Sequence, residues 1–223
     1  MKRSEINALI KDTKIFFDAL GFRLPRWAGW KPAEWKGKGG LEVVQNMLGW
    51  DITDYGAGDF EKKGLILFTI RNGNHAAGHP KRYAEKIMVV REGQVCPMHF
   101  HWSKTEDIIN RGGGNLVIEL YNSDKDEQLA DTPVTVLIDG IPQTVPAGGT
   151  VILEPGESIF LPQGMYHRFY GQQGRGKVLV GEVSSVNDDN TDNRFLHSMP
   201  RFPQIEEDEE PVHLLVTDYP AWV

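Results

Sequence analysis

The sequence predicts an all-β protein, an antiparallel sandwich or barrel, with an N-terminal α-helix and an aromatic-rich N-terminal elaboration. From Leu65 onward, short runs rich in β-branched and aromatic residues recur at close spacing. Gly, Pro, Asn and Asp punctuate those runs as turn-formers, the pattern of an antiparallel sandwich or barrel. A clear helical spacing of apolar residues lies at the start of the chain.

Ile6, Leu9, Ile10, Phe16, Phe17 and Leu20 share one helical face behind Ser4, an N-cap residue type, and Gly21 suits the C-terminal cap. Phe22 to Trp50 hold Trp27, Trp30, Trp35 and Trp50 among prolines and glycines. A linker has no use for so many large apolar side chains, so this stretch is expected to wrap irregularly over the core. Leu65 to Ile70 reads as a strand ending at Arg71-Asn72-Gly73-Asn74, where Asn-Gly is a strong turn signal. Further strands are expected at Glu85 to Val90, Leu116 to Tyr121, Val134 to Ile138, Thr150 to Leu153, Ser158 to Leu161 and Val178 to Val183. Turns fall at Arg111 to Gly114, Asp139-Gly140, Ala147 to Gly149 and Pro155-Gly156. Past Ser184 the pattern fades into a polar loop, Asn187 to Asn193. An acidic run, Glu206 to Glu210, lies between Pro203 and Pro211 and is expected to be solvated surface. No repeat or second boundary stands out. The expectation is one domain, with helix and wrap over residues 1–64, β core over 65–186, and a C-terminal loop and tail over 187–223.

The 223 residues are 40% hydrophobic and 25% charged, the balance of a folded globular chain. A net charge of −7 without a basic run argues against nucleic acid and anionic membranes as partners. The single cysteine, Cys96, excludes an intramolecular disulfide. Met1 to Leu20 are too charged for a signal peptide, and no apolar run approaches spanning length, so a cytoplasmic protein is expected.

His99 and His101 flank Phe100, and in a strand alternate side chains share a face, so both imidazoles are expected to point one way while Met98, Phe100 and Trp102 point the other. Glu106 follows far enough on for the chain to return a carboxylate, and His167 supplies a fourth donor after a Pro-x-Gly turn. A lone His-x-His is weak evidence, because hydrogen-bonded histidine pairs are common. Four ligand-type residues among turn-formers are much stronger. A mixed nitrogen and oxygen shell with open positions suits Mn, Fe, Co, Ni or Zn better than Ca or Mg.

These residues resemble the two motifs of the cupin superfamily. Gly93, His99, His101, Glu106 and Gly113 match Gly-x5-His-x-His-x3–4-Glu-x6-Gly. Gly156, Pro162, Gly164 and His167 match Gly-x5-Pro-x-Gly-x2-His-x3-Asn, with Gly171 in place of the final Asn. The resemblance implies a jelly-roll β-barrel with the metal inside. Beyond the motifs, the chain is similar to the D-lyxose isomerase family of bacterial cupins. The stretches concerned are Trp27 to Trp30, Gly49 to Gly56, Thr69 to Gly73, Tyr83 to Met88, His99 to Gly114 and Gly181 to Phe195. That resemblance implies manganese-dependent interconversion of D-lyxose and D-xylulose, with D-mannose and D-fructose as a second pair.

Such a reaction moves hydrogen between C1 and C2 of an open-chain sugar and needs a polarised carbonyl and a base. Glu182 is the first choice for the base, because it shares strand parity with Val178, Val180 and Ser184 and a carboxylate among apolar residues needs a reason. A structural pairing with an arginine would also explain it, and a concerted hydride shift would need no base. Lys86 interrupts an apolar strand and is the second catalytic candidate, against a lysine snorkelling at the strand start. Lys104, expected near the site mouth, Glu119, Asp189, Asp192 and Arg194 are candidates for binding sugar hydroxyls. Structural roles for Glu119 and a solvated loop for the last three compete. Trp102, Tyr166 and Phe169 could pack on a sugar's C–H face, although Trp102 has the wrong parity. Rival functions are an iron-dependent cupin dioxygenase and a non-catalytic sugar-binding cupin. A monosaccharide is the expected ligand, and the Trp-rich wrap with open strand edges suggests a homodimer.

Overall fold

A computed structural model describes residues 1–76 and 79–223. Helix α1 spans Arg3–Ala19. It begins one residue before Ser4, and Gly21 just beyond it has φ +71°, the left-handed geometry anticipated at this end. Two 3-10 turns, Arg26–Gly29 and Pro32–Trp35, and the short α2, Glu42–Gln45, make up the wrap.

The strands are β1 Gly49–Thr53, β2 Leu65–Asn72, β3 Tyr83–Val90, β4 Cys96–Phe100, β5 Glu106–Gly113, β6 Leu116–Ser123 and β7 Leu129–Ala130. They continue with β8 Val134–Ile138, β9 Ile141–Val145, β10 Thr150–Leu153, β11 Ser158–Leu161, β12 Tyr166–Gly171, β13 Val178–Ser185 and β14 Arg194–Phe195. One sheet runs β1-β2-β3-β13-β5-β11-β8-β9 and the other β10-β6-β12-β4-β14, with β7 against β6. The ladders are antiparallel, and the two curled sheets form the expected jelly-roll barrel.

Two apolar cores flank the larger sheet. Inside the barrel, Leu65, Leu67, Met88, Val90, Ile108, Val178 and Val180 face Leu116, Ile118, Leu120, Val151 and Phe169. Outside it, Ile6, Leu9, Ile10 and Phe17 of α1 pack with Trp50 and Ile52 against Ile66, Phe68, Ile87 and Val89. Burial on both faces explains why β2 and β3 read as continuous apolar runs rather than alternating ones. The aromatic wrap does cover the barrel, and the Trp50 indole donates to the Ala28 carbonyl at 3.1 Å.

Several elements differ from expectation. β1 was expected as irregular wrap, but it adds to the sheet edge beside β2. Arg111 to Gly113, expected in a turn with Gly114, belong to β5, and the chain reverses at Gly114-Asn115 before β6 begins at Leu116. A Cβ on Gly113 (φ +86°) would sit 2.2 Å from the Lys177 carbonyl oxygen, so this crossing needs glycine. Gly171, where the motif has Asn, is equally constrained: a Cβ would lie 2.7 Å from the Arg91 carbonyl oxygen.

The acidic run is exposed but not free. Asp208 accepts from the Ser4 backbone N–H at 2.9 Å and from its hydroxyl at 2.7 Å, placing a carboxylate at the positive end of α1. Glu207 and Asp218 each take two hydrogen bonds from the buried Arg3 guanidinium. The C-terminal tail thereby clamps the first turn of the chain, and Leu214, Val216 and Tyr219 pack with Trp35 beside it.

Candidate active site

β4 and β12 are neighbours, and their register sets His99 directly opposite His167. His101 follows β4 by one residue, and Glu106 opens β5 in the facing sheet. All four side chains are buried, with His167 only 2% exposed. A ring nitrogen of each histidine lies within 4.8 Å of those of the other two. Glu106 Oε1 stands 3.5 Å from His101 Nε2 and 3.2 Å from His167 Nε2.

Backbone carbonyls orient the rings. His99 Nδ1 donates to Pro97 at 2.7 Å, His101 Nδ1 to Asp192 at 2.7 Å and His167 Nδ1 to Met165 at 3.0 Å. A neutral ring that donates from Nδ1 keeps its Nε2 lone pair free. Burial, with His167 and His101 nearby, pushes the His99 pKa well down; burial and the Lys104 charge lower that of His101. His167 Nε2 is buried without a hydrogen-bond partner. Converging imidazoles, one with an orphaned nitrogen, next to an ionised carboxylate are the donor set a divalent transition metal takes.

Lys104 lies deep in the barrel rather than at its mouth. Its Nζ is 2.6 Å from Glu106 Oε2 and 2.8 Å from Glu182 Oε1. Burial alone would raise the Glu106 carboxyl, but the Lys104 ammonium holds it well below its usual range. Those two carboxylates in turn hold Lys104 protonated, against the cost of burial.

Glu182 and Lys86 are directly opposed on β13 and β3, and both face inward. Their charged atoms are 3.5 Å apart, so lysines rather than an arginine partner Glu182. Lys86 also donates to Asn187 at 2.7 Å and lies 3.7 Å from Asp189. The Lys86 and Arg201 charges outweigh burial and keep Asp189 ionised. A wall of alternating sign results, from Glu106 through Lys104, Glu182 and Lys86 to Asp189. Apolar side chains of Tyr55, Leu65, Leu67, Met88, Phe169 and Phe195 line the rest of the cavity.

The remaining candidates separate. Asp192 accepts from the Ser103 and Lys104 amides at 2.8 and 2.9 Å, so its carboxylate is committed to fixing the loop beside His101. Glu119 lies off the site: its neighbours Ile118 and Leu120 fill the barrel, and its carboxylate takes two bonds from Arg168. Arg194 also points away, to Glu127 at 3.0 Å, because Phe195 takes the inward position of that short strand. Trp102 is 45% exposed, and Tyr166 packs with Met98 and Phe100 behind the histidine-bearing strand β4, as parity implied for Trp102. Phe169 alone of the three aromatics lines the cavity.

Sequence reading missed Arg201, Asn193, Phe195 and Tyr55, all of which line it. Arg201 sits in a Pro-Arg-Phe-Pro stretch with no periodicity, whereas Tyr55 lies within a stretch that carried the family resemblance.

Tyr55 Oη and Cys96 Sγ are 3.2 Å apart inside the barrel. Burial pushes the Cys96 thiol up to about 12 and the Tyr55 phenol well above its ordinary value. The unfolded chain gives up the thiol proton near pH 9 while the folded chain keeps it, so stability is present below pH 9 and is lost as pH rises towards 12. The loss attributable to this thiol should approach about 1.4 kcal/mol per pH unit above 9. Urea unfolding at pH 7, 9 and 10 should therefore show a shallower alkaline decline for Cys96→Ala. Identical declines in the two proteins would refute the assignment.

Barrel and buried cluster together define a cupin whose interior can hold a divalent metal ion. The D-lyxose isomerase family model matches residues 1–219. D-lyxose/D-mannose isomerases from Serratia proteamaculans and Escherichia coli O157:H7 are 53% and 52% identical to the chain, over 98% of both partners in each case. An Acinetobacter sp. DL28 L-ribose isomerase in complex with L-ribose shares the fold, with a TM-score of 0.64, 16% identity and coverage of 92% of this chain and 98% of that one. The chain belongs to the D-lyxose isomerase family and is an aldose–ketose isomerase. That assignment sets aside the dioxygenase and the non-catalytic readings. Among the described residues, no helix is long and apolar enough to cross a membrane.

Proposed function

We propose that the chain interconverts D-lyxose with D-xylulose, and D-mannose with D-fructose, using Mn2+ held by His99, His101, His167 and Glu106. The observation that supports this most directly is the pairing of three converging imidazoles with a charged wall suited to a polyhydroxylated ligand. When bound, the ion supplies Lewis-acid polarisation of the sugar carbonyl.

Glu182 takes the proton from C2 of the aldose and returns it to C1 through an enediol, with a matching proton shift from O2 to O1. Lys104 binds both Glu106 and Glu182, so one ammonium sets the spacing between the ligand carboxylate and the base. Lys86, 3.5 Å from Glu182, supplies positive charge where the enediolate develops. Asp189 accepts from substrate hydroxyls. D-mannose is D-lyxose extended by one carbon at the far end, so the same C1–C2 chemistry serves both pairs.

The test is to strip the metal with a chelator, restore Mn, Fe, Co or Zn separately, and assay D-lyxose and D-mannose under nitrogen. Ketose should form without oxygen, restored best by Mn2+. No ketose with any ion, together with oxygen uptake on another substrate, would sink the reading.

A further inference from the structure

Arg201 has no part in the chemistry above, yet its guanidinium opens on the same cavity as Glu182, Lys86 and the three histidines. Its side chain is 11% exposed and is held on several sides. Nη2 lies 2.6 Å from Asp51 Oδ2 and 3.5 Å from Asp189 Oδ1. The Arg201 carbonyl accepts from the Thr53 hydroxyl at 2.8 Å, and the guanidinium stands 4.9 Å from the centre of the Phe202 ring. A long side chain fixed this way is pre-organised, so little of its freedom remains to be lost on binding.

One donor is nevertheless unused: Arg201 Nη1 is buried and has no hydrogen-bond partner. Buried donors are nearly always satisfied, and an exception at the wall of a binding cavity calls for an acceptor brought by the ligand. The charge of Arg201 is already matched by Asp51 and Asp189, so the spare N–H suits a neutral oxygen rather than a second anion. Its place on the wall says which oxygen. From Glu182, the steps to Lys86, Asp189 and Arg201 are 3.5, 3.7 and 3.5 Å, so Arg201 stands three contacts along the wall from the proposed base, on the side of Asp189 rather than that of Lys104 and Glu106.

We infer that Arg201 is a substrate-anchoring, specificity-determining residue whose Nη1 donates to the hydroxyl at the end of the sugar remote from the reacting carbons. Asp51 and Asp189 act as positioning residues that aim the guanidinium. The inference rests on the sugar-isomerase reading and deepens it, because an anchor at the far end measures chain length and terminal hydroxylation.

The experiment compares D-lyxose with 5-deoxy-D-lyxose, which lacks only the terminal hydroxyl, in the Mn2+-loaded wild type and Arg201→Lys. A hydrogen bond to a charged group predicts that the wild type prefers D-lyxose by about 10- to 100-fold in kcat/KM, mostly through KM. In Arg201→Lys the preference should shrink to within about threefold, because a lysine that stays paired with Asp51 has no second nitrogen to offer. Metal content should be unchanged. The ratio between enzymes cancels the different open-chain fractions of the two sugars. A merely structural Arg201 would lower both sugars alike and leave the preference intact, which would overturn the inference. Should Arg201→Lys fail to fold, Asp51→Asn, which keeps Arg201 and loosens its aim, takes its place and should shrink the preference in the same way. Equal kcat/KM for the two sugars in the wild type, expressed per open-chain molecule, or an undiminished preference in Asp51→Asn, would overturn the anchor. Wild type inactive on D-lyxose itself would instead overturn the proposed function.

Discussion

Glu182→Gln should retain its metal and lose turnover of D-lyxose by about 10²- to 10⁴-fold, the usual worth of a positioned general base. The substitution is isosteric, and the amide oxygen can still accept from Lys104 Nζ, which lies 2.8 Å from Glu182 Oε1. What disappears is the ability to take a proton. Steady-state kinetics with metal analysis reads both quantities, and solvent deuterium at C1 or C2 of the product reports the route. Activity within a few-fold of wild type, with no deuterium incorporated, would point to a hydride shift. Glu182 would then serve only to orient a hydroxyl.

His167→Ala should weaken Mn2+ binding by about 100-fold or more and abolish turnover while leaving the fold intact. Losing a partner behind a metal ligand costs about 10- to 100-fold in affinity, so losing the ligand itself should cost at least the upper figure. The rest of β12 holds its place between β6 and β4 through ladder bonds that do not involve the side chain. Titration of the metal-free variant with Mn2+, beside far-UV circular dichroism, gives the answer. Full-strength binding in a folded variant would remove His167 from the ligand set, with Glu106 and the other two histidines carrying it.

The two variants separate roles that lie close together in space. Lys104 touches both Glu106 and Glu182, so a disturbance on one side can spread to the other. Only a variant that keeps its metal and loses chemistry identifies the base. Only one that loses its metal and keeps its fold identifies a ligand.

How much was legible in the chain differs from element to element. Most barrel strands announced themselves because turn residues bracket them and the hydrogen-bond ladder tolerates few other patterns. β5 was harder, since Glu106, Asn110 and Arg111 break its apolar alternation: the first faces the site, and the second bonds the Gly114 and Leu153 carbonyls. The start of α1 was placed two residues late, with Ser4 rather than Lys2 as the N-cap, because Ser4 is satisfied by Asp208 from the other end of the chain rather than by capping its own helix. Loop residues fared worst. Asp189 reached the cavity while Asp192 and Arg194, a few positions on, turned to backbone amides and to Glu127.

His99, His101, Glu106 and His167 were readable in advance because strand parity and glycine–proline turns are local rules. A residue's face follows from its neighbours in the chain. Arg201, held by Asp51 from 150 positions away, obeys no such rule. Neither does the split between Glu182, buried on two lysines in the cavity, and Glu119, held outside it by Arg168. Both carboxylates interrupt apolar strands, and only the closing of the sheets into a barrel assigns one to the inside. The histidine–glutamate cluster was therefore written into local spacing, whereas the charged wall beside it depends on long-range contacts that bring β1, β3, β13 and the C-terminal segment together.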